Sequence, residues 1–244
     1  MQQRTIEASK NGKDVLYDAT NMTRKDRAHI ISTCKAEHIS VSAIVIWAPY
    51  ETCIERDAKR SRTEGQSVIR KMIKRYQAPF YDEGFCMVSI YNNMSIMDKA
   101  KYTVRCYEDM CIPHDNPHHT LNIQEHCSVA STLVKMNPNN IRGFASTELL
   151  KEVALYHDIG KPFCKSFKDT KSNDCDIAHY YNHENVSGWM AHGISDDPYF
   201  AWLISNHMEP FHNSKYFRSL QKNEEYKEAY NDLMRLHEAD KAAH

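Results

Sequence analysis

The segment 148–162, ELLKEVALYHDIGKP, places an adjacent histidine and aspartate at the end of an apolar helical run. Residues four apart share a face of a helix, so the run forms two rows that each end on a polar side chain. These rows are Leu149, Val153 and His157, and Leu150, Ala154 and Asp158. Gly160 and Pro162 predict that the helix stops directly after the pair. The sequence thus predicts two metal-ligating side chains where a helix ends.

A helix end suits chelation by two neighbouring residues. On a regular helix His157 and Asp158 point about 100° apart, and the looser geometry of a terminating turn is needed for both to reach one cation. Lys161 follows directly, where its ammonium group can neutralise a phosphate that the metal has bound. The segment therefore predicts a metal site that handles phosphate.

Two other helical patterns supply candidate ligands. His126 lies in the inward stripe predicted for the helix at 122–136, although a single histidine in such a place is more often an ordinary hydrogen-bonded core residue. In the last predicted helix, the inward-facing stripe contains Leu233 and His237, and its next member is Asp240. A buried carboxylate needs a charged partner or a metal, so Asp240 is a further candidate ligand.

The remaining candidates are histidines outside these stripes. His183 and His207 each begin or end a predicted helix, and both are candidate ligands. His179 precedes His183 by four residues and is a rival ligand. The histidines expected at the surface are His29, His38, His114, His212 and His244.

The first 105 residues show strands that alternate with helices. Apolar runs of strand length lie at Asp14–Thr20, Ala43–Pro49 and 85–92. The segment between the first two has helical spacing at Ala28, Ile31 and Cys34. A β-α-β unit of this kind implies a parallel sheet. We therefore expect an α/β domain at 1–105 and a second domain, helical throughout, at 106–244.

The two predicted domains carry opposite charge. Residues 1–105 hold 18 Lys and Arg against 12 Asp and Glu, whereas residues 106–244 hold 13 against 20. The basic domain is expected to meet phosphates, with nucleic acid as a candidate partner, and the acidic domain to hold cations. Uneven charge on a solvated surface is the alternative interpretation.

The composition argues against a membrane-spanning, secreted or disulfide-rich protein. Hydrophobic residues make up 41% of the chain, yet no apolar run approaches the roughly 20 residues that a membrane helix needs. The start, MQQRTIEASKNGKD, is too polar for a signal peptide. The eight cysteines form no CxxC pair, so neither a thiolate zinc site nor a disulfide framework is indicated. A cytoplasmic protein with reduced thiols and no membrane partner is expected.

Three segments of the first domain, VLYDATNMTRKDR, ERDAKR and PFYDEGF, resemble the second half of P-loop kinases of the polynucleotide-kinase type. The resemblance covers residues 10–92 and implies that Asp18 lies at the nucleotide crevice, with Arg56 and Arg60 as lid arginines. The 244 residues contain no GxxxxGK[ST] loop. The domain is therefore interpreted as a truncated, partial kinase-like unit, and this chain is not expected to transfer a γ-phosphate.

The second domain resembles the HD-domain metal-dependent phosphohydrolases, which carry an H…HD…H…H…D series. The resemblance covers residues 112–244, and PHHTLNIQEH is also similar to the entry helix of HD domains attached to tRNA nucleotidyltransferases. It implies an all-helical bundle around one or two divalent metal ions. The matching residues are His126, His157, Asp158, His183, His207 and Asp240.

The ligand types agree with this resemblance. Imidazoles combined with carboxylates favour Mn, Fe, Co, Ni or Zn over Mg, which prefers oxygen ligands. Asp158 is expected to bridge two ions, the first of which is also held by His126, His157 and Asp240, and the second by His183 and His207. Two such ions lower the pKa of a bridging water and clamp both oxygens of an in-line displacement at phosphorus.

These features predict a metal-dependent phosphohydrolase in which Asp158, Lys161 and His119 form the catalytic group, His119 by touching the substrate. The neighbouring kinase-like domain favours RNA ends with a 2′,3′-cyclic or terminal phosphate as substrates. Two alternatives stay open. One is a small-molecule nucleotidase with the same site, and the other is a catalytically silent, metal-stabilised module that binds nucleic acid.

Overall fold

The computed structural model describes residues 2–117, 120–135 and 144–243 of the chain. The described residues of the first part form five helices, a short 3-10 turn and two strands. In chain order these are α1 (Gln2–Lys10), α2 (Arg24–Ala36), β1 (Ser42–Trp47), α3 (Tyr50–Ala58), α4 (Gln66–Ile73), the turn Tyr81–Glu83, β2 (Met87–Asn92) and α5 (Ile96–Asp109).

The two strands of the first part form a parallel pair. Their register runs from Ser42 opposite Met87 to Trp47 opposite Asn92. Parallel neighbours need a crossover connection, which α3 and α4 provide. A parallel β-α-β unit is therefore present as predicted, but β1 and β2 form it, and not the first two predicted strands.

The prediction of a strand at Asp14–Thr20 is wrong. The backbone of this segment is irregular, and the side chain of Leu16 is 83% exposed. A strand is stabilised by paired backbone groups and by side chains packed against a neighbour. Among the described residues β1 pairs with β2 alone, so the segment lacks that neighbour and remains solvated.

The predicted helix after this segment is confirmed as α2, but its buried face is rotated from the one expected. Thr23 caps the helix by accepting a hydrogen bond from the Asp26 amide. Ala28 is exposed, whereas Arg27 is buried together with Ile30, Ile31 and Cys34. Burial of Arg27 is possible because its guanidinium donates two hydrogen bonds to Glu83, at 2.7 and 2.8 Å.

The second part is mainly helical. Its elements are α6 (Ile123–Leu133), α7 (Thr147–Tyr156), α8 (Lys161–Cys164), β3 (Ser166–Lys168), β4 (Asp174–His179), α9 (His183–Ala191), α10 (Pro198–Ser205), α11 (Glu209–His212), α12 (Lys215–Lys222) and α13 (Lys227–Ala242). Helices α6, α7 and α13 pack against one another, and α9 packs against α8 and α10. None of the described helices is both long enough and apolar enough to cross a membrane.

The expectation of helices throughout the second part is wrong at residues 166–179, where β3 and β4 form an antiparallel hairpin. The hairpin turn is held by Asp169, whose carboxylate accepts hydrogen bonds from the amides of Lys171 and Asn173. Such Asx turns favour a reversal of the chain over a further helical turn. The Ala178 amide also donates to the Asp115 carbonyl, which fixes β4 beside the loop before α6.

One hydrophobic core joins the two parts. Trp47 of β1 lies 5.3 Å from Tyr102 of α5 and 5.5 Å from Trp189 of α9, measured between ring centroids. A Cβ atom at Gly193 would lie 2.4 Å from both the Trp47 and Tyr102 rings, so only glycine allows this close packing. The predicted boundary between residues 105 and 106 falls within α5.

Candidate metal centre

The His-Asp pair lies where α7 ends. The helix starts at the Ser146 cap and stops at Tyr156, and residues 157–160 form turns before α8 begins. This turn packs closely on the start of α9, because a Cβ atom at Gly160 would lie 2.5 Å from the His183 carbonyl oxygen. The Gly160 amide donates to Ser187 Oγ at 2.9 Å. The close approach fixes His157 and Asp158 relative to α9.

Four other elements bring their predicted ligands to the same place. His126 comes from α6, Asp240 from the last turns of α13, His183 is the first residue of α9, and His207 follows the end of α10. All of these side chains are buried, as are His157 and Asp158. The structure therefore brings the six residues together in the interior, although they come from segments far apart in the chain.

Oδ2 of Asp158 faces the first group of ligands. It lies 3.3 Å from His157 Nε2 and 3.8 Å from His126 Nε2. Asp240 closes this group, with its Oδ1 atom 2.9 Å from His126 Nε2 and 3.3 Å from His157 Nε2. One carboxylate oxygen from each aspartate and two imidazoles thus surround one small volume.

Oδ1 of Asp158 faces the second group. It lies 3.2 Å from His183 Nε2 and 3.7 Å from His207 Nε2, and these two nitrogens are 3.2 Å apart. Asp158 therefore stands between two sets of imidazoles and offers a different oxygen to each. This is the arrangement that a carboxylate bridging two cations requires.

The backbone determines which ring nitrogen faces the site in all four imidazoles. A main-chain carbonyl lies within hydrogen-bonding distance of each Nδ1: Ala243 for His126 (3.3 Å), Ala154 for His157 (2.7 Å), Tyr180 for His183 (2.9 Å) and Ile204 for His207 (2.7 Å). A carbonyl can only accept, so each Nδ1 carries a hydrogen and each ring directs Nε2 to the site. Metal-ligating histidines commonly have this outer bond.

The contacts at the Nε2 atoms are not satisfied by neutral imidazoles alone. His126 has an acceptor at each nitrogen, the Ala243 carbonyl and Asp240 Oδ1, while a neutral imidazole has one N–H only. The facing Nε2 atoms of His183 and His207 would repel each other if both rings were neutral and nothing lay between them. Either a proton or a metal ion at Nε2 removes the conflict.

Buried polar atoms in the same place lack aligned hydrogen bonds. They are both carboxylate oxygens of Asp158 and Nε2 of His157. Lys161 Nζ lies 2.6 Å from Asp158 Oδ2, but without the alignment of a hydrogen bond. Burial of such groups without partners costs free energy.

Three sets of donor atoms in the described residues are close enough to hold an ion. They are His126, His157 and Asp240; Asp158, His183 and His207; and Cys127, His157 and Asp158.

Cys127 was not predicted as a ligand. Its Sγ atom lies 3.7 Å from Nδ1 of His157, on the side away from the shared volume. Burial raises the pKa of the Cys127 thiol. A thiol must lose its proton to bind a metal, so the histidines and aspartates are the better ligands here.

The pKa values of the cluster reflect strong coupling between its members. Burial alone would raise the pKa of Asp158, but Lys161 and His157 hold it well below its usual range. Burial opposes protonation of His157 as well, yet the adjacent Asp158 raises its pKa well above the ordinary value. Burial, followed by the nearby His157 and His183, lowers the pKa of His207 to about 3, which keeps its ring neutral. Anionic Asp158 and neutral His207 are both in the state that a metal ligand needs.

Lys161 is held beside Asp158 by His114. His114 is buried, and its Nδ1 atom donates to the Leu121 carbonyl at 2.8 Å, which leaves Nε2 to accept from Lys161 Nζ at 3.3 Å. Burial and then Lys161 lower the pKa of His114 to about 4. The prediction that His114 lies at the surface is wrong, because a loop residue belongs to no periodic pattern that could show its burial.

The other predicted site residues have different outcomes. His119 lies outside the described residues. His179, the rival ligand, belongs to none of the candidate metal sets and stacks on Tyr181 with ring centroids 5.1 Å apart.

Asp18, Arg56 and Arg60 are all exposed. Among the described contacts, no ion pair joins Asp18 to either arginine. The expected strand that was to place Asp18 at the sheet edge is absent, and a nucleotide crevice formed by these three residues stays a prediction.

A pocket of about 850 Å3 opens onto the second group of ligands. It is lined by Asp158, Lys161, Asp169, Thr170, Tyr180, Tyr181, Asn182, His183, Glu184, His207, Met208, Phe211, His212 and Asp240. A pocket of this size accommodates a small organic ligand such as a nucleotide. Its aromatic residues were not predicted, because they lie in loops and short elements where periodicity carries no signal.

Two comparisons with known proteins found a match. A family described as AAA domain, a P-loop kinase-like family, matches residues 1–81, which agrees with the kinase-like character predicted there. A relative from Arabidopsis thaliana, named Transcription factor bHLH140, is 30% identical over 98 residues. The match covers 37% of this chain and 11% of that protein. No solved structure matches.

Proposed function

We propose that the chain is a metal-dependent phosphohydrolase that acts on nucleotides or RNA ends. The observation that carries this proposal is the position of Asp158, which offers one oxygen to each of two imidazole groups while Lys161 Nζ lies 2.6 Å from it. The arrangement combines a place for two cations with a fixed ammonium group, and it faces a pocket large enough for a nucleotide.

The distances between the six candidate ligands assign them to two ions. His126, His157 and Asp240 would hold the first ion, His183 and His207 the second, and Asp158 both. Mn, Fe, Co, Ni and Zn suit this mixture of nitrogen and oxygen ligands. When bound, such ions supply a water of lowered pKa and positive charge next to the phosphate.

Lys161 binds the substrate in this proposal. Its ammonium group lies between Asp158 and His114, and Lys161 lines the adjoining pocket, where it would donate to a phosphate oxygen. During hydrolysis the water oxygen forms a bond to phosphorus and the bond from phosphorus to the ester oxygen breaks, while a proton of the water passes to the ester oxygen, which leaves as a hydroxyl group. Negative charge accumulates on the phosphate oxygens, where a preorganised ammonium group is most effective.

RNA ends are favoured as substrates because the same chain contains a kinase-like part. Repair of nucleic-acid ends combines phosphorylation of a 5′-hydroxyl with removal of a 2′,3′-cyclic or terminal phosphate, and residues 1–81 match a kinase-like family. This support is associational. A small-molecule nucleotidase with the same site is the second candidate, favoured by the pocket volume of about 850 Å3, which suits a ligand of nucleotide size.

Turnover of three substrates tests the proposal. The protein is loaded with Mn or Ni and offered a 2′,3′-cyclic nucleotide, a nucleoside monophosphate and an RNA oligonucleotide with a terminal phosphate. Preference for the oligonucleotide or the cyclic ester supports action on RNA ends, and preference for the monophosphate supports a nucleotidase. Bound metal with no hydrolysis of any substrate would contradict the proposal and favour a silent binding module.

Replacement of His207 by Ala is expected to weaken the second ion more than the first. Nε2 of His207 faces Oδ1 of Asp158 and Nε2 of His183, whereas the first group keeps His126, His157 and Asp240. Metal content should fall from about two ions per chain to about one. Elemental analysis measures this, with His179→Ala as the control because His179 lies outside the candidate sets. Equal metal content in His207→Ala and the parent would contradict the assignment.

A further inference from the structure

Aromatic rings line the pocket next to the candidate metal centre. Tyr181 lies two residues before His183 and is 39% exposed, and Phe211 in α11 is 44% exposed. Each ring is supported by a histidine. Tyr181 stacks on His179 with an interplanar angle of 9°, and Phe211 meets His237 edge to face at 4.3 Å. The two rings are thus held in place yet keep accessible surface inside a pocket.

The charges of the pocket limit what binds beside these rings. Asp158, Asp169, Glu184 and Asp240 are its acidic residues, and Lys161 is the one lysine or arginine among the lining residues that the structure describes. Two divalent ions would therefore leave the pocket nearly neutral, with cationic groups concentrated at the metal centre and Lys161. One phosphate group is accommodated there. A chain of phosphates extending through the pocket would meet carboxylates.

A flat aromatic group is the natural occupant of the remaining surface. Exposed aromatic side chains bind nucleobases by stacking, which tolerates any base because each has a π face. The pocket volume of about 850 Å3 is sufficient for a base, a sugar and one phosphate together.

We propose that Tyr181 and Phe211 form a nucleobase-binding subsite, so that the centre selects phosphoesters carrying a base close to a single phosphate. The inference rests on the proposed function and specifies its substrate class: nucleoside monophosphates and the terminal nucleotide of a strand, rather than sugar phosphates or nucleoside polyphosphates. Tyr181 and Phe211 contribute affinity for the base, and the metal centre with Lys161 contributes affinity for the phosphate.

Binding of two analogues that cannot be hydrolysed tests this subsite without relying on turnover. One is the methylene phosphonate analogue of adenosine 5′-monophosphate, and the other is the same phosphonate of ribose without a base. Calorimetry on the metal-loaded full chain should show at least about 10-fold tighter binding of the analogue with the base. Equal affinities, or no binding of either analogue at millimolar concentration, would overturn the proposal.

Variants of Tyr181 and Phe211 test whether these two rings cause the preference for the analogue that carries a base. Tyr181→Ala and Phe211→Ala should each reduce the preference for the base by about 5-fold or more, since stacking is lost, with little effect on the ribose analogue. Tyr181→Phe should retain the preference because the ring remains. Phe167→Ala is the matched control, since Phe167 in β3 is 45% exposed but does not line the pocket. An unchanged preference in both alanine variants would also overturn the subsite.

Different results would contradict the phosphohydrolase function and the nucleobase-binding subsite. Preferential binding of the base-containing analogue, lost in Tyr181→Ala, supports the subsite even if no phosphoester is hydrolysed. Hydrolysis of a generic aryl phosphate combined with equal affinity for the two analogues keeps the phosphohydrolase and overturns the subsite.

Discussion

Replacement of Asp158 by Asn is expected to remove most of the bound metal and to abolish most of the hydrolysis. Asp158 is the residue that offers an oxygen to both imidazole groups, so its loss weakens both ions together. Removal of one partner from a buried charge cluster costs about 3–5 kcal/mol, which corresponds to a fall of roughly 100-fold or more in metal affinity or turnover.

Elemental analysis and hydrolysis of an aryl phosphate measure the two effects side by side. Asp176→Asn is the control, because Asp176 is an exposed carboxylate on β4 that belongs to no candidate metal set. The helices should persist in Asp158→Asn, since the apolar residues of α6, α7 and α13 pack independently of the carboxylate. Circular dichroism tests this. Parent-like metal content in the folded variant would contradict the bridging role.

Replacement of Lys161 by Met is expected to separate binding of metal from catalysis. Lys161 offers no lone pair while protonated, so the ions should stay, but the phosphate loses its ammonium partner. Removal of one such electrostatic contact typically lowers kcat by about 100- to 1000-fold. Methionine retains most of the length and volume of the side chain, so the packing against Tyr180 should change little.

Kinetics together with metal content test the Lys161 prediction. Lys168→Met is the matched control, because Lys168 is an exposed lysine on β3 that does not line the pocket. Loss of metal in Lys161→Met would mean that the ammonium group stabilises Asp158 instead of binding phosphate. Unchanged turnover would mean that Lys161 does not touch the reacting group.

Local signals made parts of this structure predictable from the sequence. The end of α7 at the His157–Asp158 pair follows from an apolar helical run and two helix-breaking residues, which act within a few positions of one another. The burial of Asp240 follows from the stripe of α13. The convergence of His126, His183 and His207 on these residues was implied by the resemblance to HD-domain enzymes, because no local pattern determines how distant helices meet.

The errors arose where structure depends on partners distant in the sequence. Asp14–Thr20 has the composition of a strand, but a strand forms only where a neighbour accepts its hydrogen bonds. His114 occupies a loop, and its burial depends on Lys161 and Leu121 lying beside it. Tyr181 shares its pocket with residues distant in the sequence, such as Phe211 and Asp240, so no local pattern indicates that it can contact a ligand.

Anomalous X-ray diffraction from crystals grown with Mn or Ni would show whether Asp158 bridges two ions. We expect two peaks on opposite sides of the Asp158 carboxylate. One should lie among His126, His157 and Asp240, and the other between His183 and His207. Absence of any peak at Asp158, with anomalous signal elsewhere in the chain, would contradict the assignment of this cluster as the metal centre.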